Sequence, residues 1–278
     1  MKYIKNLILN KYFKFQEEKY VIEDKYYSLL RMDKEFFKKR ELILISNYSF
    51  QNPLIYVISL ITYISGKIGL PQECQVIPSF VAKDSAAGTI KLTPDNKYFV
   101  EINKIYENDK IAIDSIIAHE ITHAWLYKYN FQEAEREENE KYTDLMAIFL
   151  GLGVLLLNGC WQRTITSRDE DYIMYKEVKP YLTSTELGYG MALFMKQKEL
   201  IMKDVKPHLN KNALDIVEVG QVVLSRRLKE LEDKRNIDSW MIICTNCFQK
   251  LRIPAFKGKI KVKCPLCNTE KIFNSNSF

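Results

Sequence analysis

Apolar residues along this chain follow a strand-like spacing first and a helical spacing afterwards. A short β-branched run at 75–77 and alternating apolar positions over 87–92 and 98–102 predict strands of a small antiparallel sheet. From Asp109 onward, apolar residues recur every three or four positions, which is the period of an α-helix packed on one side. The predicted helices cover 111–129, 135–157, 184–203 and 213–233. Strands followed by helices are typical of an α+β domain.

Two further helical regions precede the predicted strands. Residues 11–44 are charged and aromatic with helical spacing, which predicts one or two amphipathic helices. Pro53 then opens an apolar helix over 54–68, and Gly69 closes it, because proline suits a first helical turn and glycine suits the position after the last.

The longest apolar run, 145–157, bears on whether the chain crosses a membrane. It contains Gly151 and Gly153 and is shorter than the ~20 residues that a membrane-spanning helix needs. The apolar stretch at the N-terminus is too short and too interrupted for a signal peptide. We therefore expect a buried core helix, no membrane segment and a cytoplasmic protein.

Length and charge together predict one main domain and a small basic module. The expected division is an N-terminal helical extension over 1–50, the main domain over 51–238 and the module over 239–278. From Met241 onward the chain has seven basic residues and one acidic residue, so the net charge of +6 resides in the module. Four thiolates around a zinc ion would reduce that charge, which weakens the expectation of a strong nucleic-acid surface.

The sequence His119-Glu120-Ile121-Thr122-His123 is the main indication of chemistry. Residues four apart lie on the same face of a helix, so the two imidazoles can bind one zinc ion. Glu120 is then placed to act as the general base towards a water molecule that the zinc activates. The alternative is a pair of core or solvated histidines without a metal.

A catalytic zinc needs a third protein ligand, and the segment Asn139-Glu140-Lys141-Tyr142-Thr143-Asp144 offers carboxylates. Glu140 can complete a His-His-Glu site, while Asp144, four residues later, can accept a hydrogen bond from a ligating histidine. Glu137 and Glu138 are competing ligands, and an entirely solvated acidic stretch is the other alternative.

The two motifs together, H-E-x-x-H followed by N-E-x-x-x-D, resemble the gluzincin metallopeptidases, the thermolysin-like group. The resemblance covers about residues 75–158. It implies that His119 and His123 are zinc ligands with Glu120 as general base. It further implies that Glu140 is the third ligand and Asp144 the hydrogen-bond partner of His119.

The same resemblance implies an edge strand that binds the substrate backbone above the zinc. The matching segment is 86–90, with Ala87, Gly88 and Thr89 as substrate-binding residues, and an ordinary hairpin is the alternative. The family's transition-state-stabilising histidine has no clear counterpart. Three residues are candidates for stabilising the oxyanion instead: His208, Tyr181 and Tyr189.

Two C-x-x-C pairs near the C-terminus predict a second, structural zinc site. Their four cysteines resemble those of a zinc ribbon in spacing: Cys244, Cys247, Cys264 and Cys267. Four thiolates close the zinc tetrahedron and leave no position for water. Strands are predicted over 251–254 and 259–263, and zinc would supply the folding energy of so small a module.

The expected function is that of a zinc metallopeptidase with one catalytic and one structural zinc ion and a peptide or protein substrate. Nucleic acid is a less favoured partner, through the lysines of the ribbon. A zincin followed by a four-cysteine ribbon is similar in domain order to the SprT-like DNA-associated proteases. Those enzymes usually have a third histidine ligand, and the one histidine after His123 in this sequence is the distant His208. A non-enzymatic, metal-stabilised binding protein is the other alternative, and Glu120 argues against it.

Overall fold

The computed structural model describes residues 22–25, 37, 39–45, 50–84, 86–93, 95, 97–160, 163–168, 173–233, 239–254 and 258–274. Most of the amphipathic helices predicted over 11–44 lie outside the described residues. Within the described part, residues 22–25 are helical.

The described chain contains the predicted helices and strands in their predicted order, together with further strands that the sequence did not predict. The helices are α1 Pro53–Ile68, α2 Lys110–Tyr129, α3 Arg136–Ala147, α4 Gly153–Gly159, α5 Ser184–Gln197, α6 Met202–Val205 and α7 Lys211–Asp233. The strands are β1 Val76–Val81, β2 Gly88–Leu92, β3 Tyr98–Asn103, β4 Arg163–Arg168, β5 Ile173–Glu177, β6 Ser239–Ile243, β7 Lys250–Pro254, β8 Lys259–Lys263 and β9 Glu270–Asn274. This arrangement confirms the predicted α+β class.

The first sheet has three strands in the order β1-β3-β2. β2 and β3 pair antiparallel, as predicted, but β1 runs parallel to β3. The prediction of an all-antiparallel sheet was wrong for β1 because β2, the next strand in the chain, does not pair with it; β3 lies between them. The alternation of side chains does not determine the direction of a strand. β2 is therefore an edge strand, and it packs beside α2.

The helical run Arg136–Gly159 is long and apolar enough to cross a membrane, and it is the one such run in the described chain. However, 94% of its apolar window is buried inside the protein, which is the burial of a core helix. The run is also interrupted: a π-helical segment, Ile148–Leu152, separates α3 from α4, and Gly151 has a φ of 92°. The prediction of one continuous helix over 135–157 missed this kink.

The helix predicted over 184–203 ends earlier, at Gln197. Glu199 adopts a left-handed conformation with a φ of 56°, and the N–H of Leu200 returns to the carbonyl of Met195. This is a common helix stop. The hairpin formed by β4 and β5 had no counterpart among the sequence predictions.

The buried apolar side chains of the described residues form two clusters. The larger one combines residues of α1, α2, α3, α4, α5, α7 and β3, and it includes Ile22, Phe37 and Ile43 from the region predicted as an extension. The smaller one lies between the hairpins β6–β7 and β8–β9. The domain limits at 50 and 238 stay predictions.

Candidate metal centre and cleft

The H-E-x-x-H motif lies on helix α2, and a capping residue defines each end of this helix. Asp109 caps the N-terminus by accepting a hydrogen bond from the N–H of Ala112, and Asn130 ends the helix in a left-handed conformation. The helix is buried over most of its length, so His119, Glu120 and His123 lie within the protein rather than on an outer face.

Three side-chain atoms from α2 and α3 converge on one point. The Nε2 atoms of His119 and His123 lie 3.0 Å apart, and each lies 3.0 Å from Oε2 of Glu140. Zinc takes nitrogen and oxygen ligands at about 2.0–2.2 Å, so these three atoms can surround a single ion. The group could therefore hold a metal ion, and its donor set is consistent with zinc.

The hydrogen bonds on the far side of each imidazole establish which ring nitrogen faces the centre. Asp144 can only accept as a carboxylate, so Nδ1 of His119 donates to its Oδ1 over 2.8 Å. Oγ1 of Thr143 donates to the carbonyl of Asn139, so it accepts from Nδ1 of His123 over 3.2 Å. In the neutral rings, both Nε2 lone pairs therefore point to the centre, as metal ligation requires.

The negatively charged side chains around His119 favour a positive charge at this centre. Burial opposes a charge on His119, but its hydrogen bonds with Asp144 and Glu140 prevail and raise its pKa to about 10. Burial also opposes a charge on Glu140, yet hydrogen bonds from both histidines hold its pKa well below the usual range. The pKa of His123 is lowered, mainly by burial. The same negative groups that favour a proton on His119 would favour a divalent metal ion at this point.

Glu120 lies beside the three converging atoms but is not one of them. Its side chain makes no hydrogen bond to any residue that the structure describes, and burial raises its pKa to about 7. A nearby divalent cation favours the ionised form and lowers such a pKa. A metal ion at this centre would therefore favour the ionised form of Glu120 at neutral pH.

The centre opens into a cleft of about 620 Å³. Edge strand β2 and the residues before it form one wall, which includes Ala87, Gly88 and Thr89. A Cβ atom at Gly88 would lie 2.7 Å from Oε1 of Glu120 and 2.5 Å from Cγ2 of Ile116. Only glycine allows the strand to approach α2 so closely.

Asn103 holds the segment that leads into β2. Its side-chain amide donates to the carbonyls of Lys83 and Ala86, over 2.7 and 3.2 Å. Its backbone N–H donates to the carbonyl of Ala87, which makes Ala87 and Asn103 a hydrogen-bonded pair. Since such pairs alternate along antiparallel strands, Gly88 and Ile90 direct their backbone N–H and C=O groups away from β3, towards the outer edge.

The structure distinguishes between the candidates that the sequence left open. Glu137 pairs with Lys141 at 2.9 Å, and Glu138 pairs with Lys25 at 3.0 Å, so both point away from the centre. Glu140 is the carboxylate that meets the histidines. The assignment of ligand and general base stays a prediction about chemistry.

Of the three residues proposed to stabilise an oxyanion, Tyr181 is the one that lines the cleft. Its ring stacks on His119 at 5.5 Å between centroids, and its backbone N–H donates to Oδ2 of Asp144. Tyr189 is fully buried and donates to Glu23, and His208 is bound through its backbone to Asn158.

Sequence reasoning missed several residues of the site. Thr143 was not considered although it lies inside the second motif, and a hydroxyl one residue before Asp144 was the available signal. Tyr127 stacks on His123 at 6.2 Å and lies one turn after it on α2, a helical spacing visible in the sequence. Tyr106 also lines the cleft, and no local pattern marks it.

The four ribbon cysteines form a second cluster with donor atoms within 4.8 Å of one another. The Sγ atoms of Cys244 and Cys267 lie 3.5 Å apart, and those of Cys247 and Cys264 lie 3.4 Å apart. Each C-x-x-C turn closes in the same way, with a left-handed residue four positions after its first cysteine: Phe248 and Asn268. Four cysteines in this arrangement are consistent with a structural zinc site.

Comparisons with protein-family models, with curated proteins and with solved structures find no match for this chain.

Proposed function

We propose that this protein is a zinc-dependent peptidase whose active site is the cleft between α2, α3 and β2. The observation that carries the proposal is the convergence of His119, His123 and Glu140 at 3.0 Å, with the carboxylate of Glu120 beside them. A purely structural metal site has no use for a buried carboxylate that binds neither the metal nor a neighbouring residue.

Zinc at this centre would polarise a carbonyl group and lower the pKa of a water molecule to about 7. The protein's own contribution begins with Asp144 and Thr143, which hold both imidazoles with their Nε2 atoms inward. Glu120 then takes a proton from the attacking water and passes it to the leaving amine, as a general base and then a general acid.

Strand β2 is suited to hold a substrate in an extended conformation. Gly88 and Ile90 direct backbone groups towards the outer edge of the sheet, where a peptide can pair as an additional strand. Gly88 lies directly over Glu120, so a peptide paired there would have its backbone close to the general base. Of the three candidates for stabilising an oxyanion, Tyr181 is the one that lines the cleft and stacks on His119, so we assign it that role.

The test combines metal content with hydrolysis of an unselected peptide mixture, followed by mass spectrometry. We expect two zinc ions per chain in the wild type and in Glu120→Gln, and one in His119→Ala. Hydrolysis should fall at least ~100-fold in Glu120→Gln, because general-base catalysis contributes about 10²–10⁴.

Glu137→Gln is the matched control, since Glu137 is exposed on the first turn of α3 and pairs with Lys141. It should keep both zinc ions and full activity. Undiminished hydrolysis in Glu120→Gln, or a single zinc ion in the wild type, would reject the mechanism. Peptide binding without hydrolysis in the zinc-loaded wild type would favour the non-enzymatic alternative.

A further inference from the structure

The cleft has a buried part that the proposed chemistry does not use. Six of its lining residues are each at most 7% exposed and come from the turn after β3, from α2, from α4 and from the segments after α4 and β5: Tyr106, Ser115, Ile116, Leu156, Cys160 and Val178. We call these six residues the inner wall. Ser115 lies one helical turn before His119, so the inner wall adjoins the metal centre.

Most side chains of the inner wall are apolar, and the hydroxyl of Ser115 already has a hydrogen-bond partner. Ile116, Leu156 and Val178 present aliphatic side chains, and the hydroxyl of Ser115 donates to the carbonyl of Leu156 over 3.1 Å. Burial keeps the thiol of Cys160 protonated by raising its pKa. A wall of this kind accepts a side chain of moderate size, and it excludes charged side chains because they would lose their hydration.

Tyr106 departs from this pattern. It is fully buried, and its hydroxyl oxygen has no hydrogen-bond partner among the described residues. Buried hydroxyl groups in folded proteins are nearly always paired, because an unpaired one loses its hydration without compensation. Tyr106 lines the cleft, so a ligand acceptor group that displaced the side chains covering this hydroxyl would supply the partner that it lacks.

The surroundings of Tyr106 restrict the kind of group that it can bind. Burial raises the pKa of Tyr106 to about 12, with smaller contributions from the charges of Asp109 and Glu177. The hydroxyl is thus a neutral proton donor at all physiological pH values. The same negative charges disfavour a carboxylate as its partner, which leaves uncharged acceptors.

We propose that the inner wall is a specificity pocket for an uncharged substrate side chain that ends in a hydrogen-bond acceptor, with Tyr106 as the residue that recognises it. The carboxamides of asparagine and glutamine have this chemistry. Leucine and methionine have nearly the same size without it. This inference rests on the proposed function, because it treats the cleft as the substrate site.

The test compares peptides that differ only by asparagine against leucine, or by glutamine against methionine, with the pair placed in turn at each position around the cleaved bond. Hydrolysis by the wild type is measured as kcat/KM. Binding is measured by calorimetry on zinc-loaded Glu120→Gln. At one position the carboxamide peptide should be favoured about tenfold in both measurements, since satisfying a buried hydroxyl discriminates strongly against an analogue that leaves it unpaired.

Tyr106→Phe removes the hydroxyl and keeps the ring. In this variant the preference should fall to within about twofold, while the melting temperature stays equal or rises because no protein hydrogen bond is lost. Tyr98→Phe is the matched control: Tyr98 is a buried tyrosine of β3 that does not line the cleft, so the preference should persist.

The outcomes separate the two proposals. Hydrolysis without any carboxamide preference, or an equal preference in Tyr106→Phe, would overturn the pocket while leaving the peptidase intact. A lower melting temperature of Tyr106→Phe would do the same, since it would assign the hydroxyl a structural partner. Preferential binding without hydrolysis would support the pocket and reject the peptidase. Absence of peptide binding would overturn both.

Discussion

Asp144 links the metal centre to the rest of the cleft through its two carboxylate oxygens. Oδ1 accepts from Nδ1 of His119, and Oδ2 accepts from the backbone N–H groups of Tyr181 and Leu182, over 2.7 and 3.1 Å. One fully buried carboxylate thus orients a histidine and holds the segment whose tyrosine stacks on that histidine. Its burial is tolerable because both oxygens are satisfied.

Thr143 has the corresponding role for His123, and its hydroxyl can be removed almost without a change of shape. Thr143→Val should weaken zinc binding at the centre by ~10–100-fold, because the hydroxyl that fixes the imidazole is lost. Thr143→Ser keeps the hydroxyl and should stay close to the wild type. A competition titration with a chromophoric chelator measures the affinity, and wild-type binding by the valine variant would contradict the assignment.

Glu101, which lies outside the metal centre, should make the free energy of unfolding depend on pH. Hydrogen bonds from Lys83 and Lys91, at 2.8 and 2.9 Å, lower its pKa to about 2. Because the pKa is lower in the folded than in the unfolded chain, the stabilisation is complete above the unfolded value of about 4.3 and disappears as the pH falls towards 2. The difference in unfolding free energy between wild type and Glu101→Gln should therefore shrink from pH 6 to pH 3.

Urea denaturation at both pH values gives this difference, and metal loss at low pH affects both proteins alike. A difference that stays constant between pH 6 and pH 3 would show that the Glu101 carboxylate is not held in its ionised form by the lysines.

At the scale of elements, two glycines, Gly88 and Gly151, allow segments of the chain to approach each other closely. β2 comes close to α2 at Gly88, and the kink between α3 and α4 lets the loop at Glu41 approach Gly151. The N–H of Ile43 donates to the carbonyl of Gly151 over 2.8 Å, so this kink receives part of the N-terminal region. At Gly88 and at Gly151 the absence of a side chain allows another segment of the chain to pack closely against the glycine.

Gly151→Ala should destabilise the protein by roughly 2–4 kcal/mol. The φ of 92° is strained for alanine, and the new Cβ would lie 2.0 Å from the carbonyl oxygen of Glu41, a backbone atom that cannot rotate away. Gly66→Ala is the control, because no atom of the described residues lies within 4 Å of its Cβ position in α1. This substitution should stabilise the protein by about 0.4–1 kcal/mol. Thermal and urea unfolding measure both, and equal stabilities would contradict the kink.

At the scale of the whole molecule, a buried ion cluster joins segments that are distant in the chain. Glu23, which is 4% exposed, accepts from Arg227 of α7 over 3.0 and 3.1 Å and from the hydroxyl of Tyr189 of α5. Lys250 of the ribbon lies 3.7 Å from the same carboxylate and 3.1 Å from Asp24. The ribbon and the N-terminal region therefore meet at one charged cluster.

Arg227→Met should destabilise the protein by about 3–5 kcal/mol, because it leaves the charge of Glu23 buried without its main partner. Adding Glu23→Gln removes that charge while keeping an acceptor for Tyr189, so the double variant should recover much of the loss. Urea unfolding of the three proteins checks this. A single variant within ~1 kcal/mol of the wild type, or no recovery in the double variant, would reject the cluster as a buried pair.

The sequence by itself determined the features that depend on neighbours in the chain. The histidines four apart on α2, the carboxylates of α3 and the two cysteine turns follow from helix and turn geometry, which a few consecutive residues establish. Only the tertiary structure decided which carboxylate meets the histidines, and that Tyr181 rather than Tyr189 or His208 lines the cleft. The parallel direction of β1, the unpaired hydroxyl of Tyr106 and the cluster around Glu23 likewise depend on it. These features join segments far apart in the chain, and packing of the whole core, rather than local periodicity, brings such segments together.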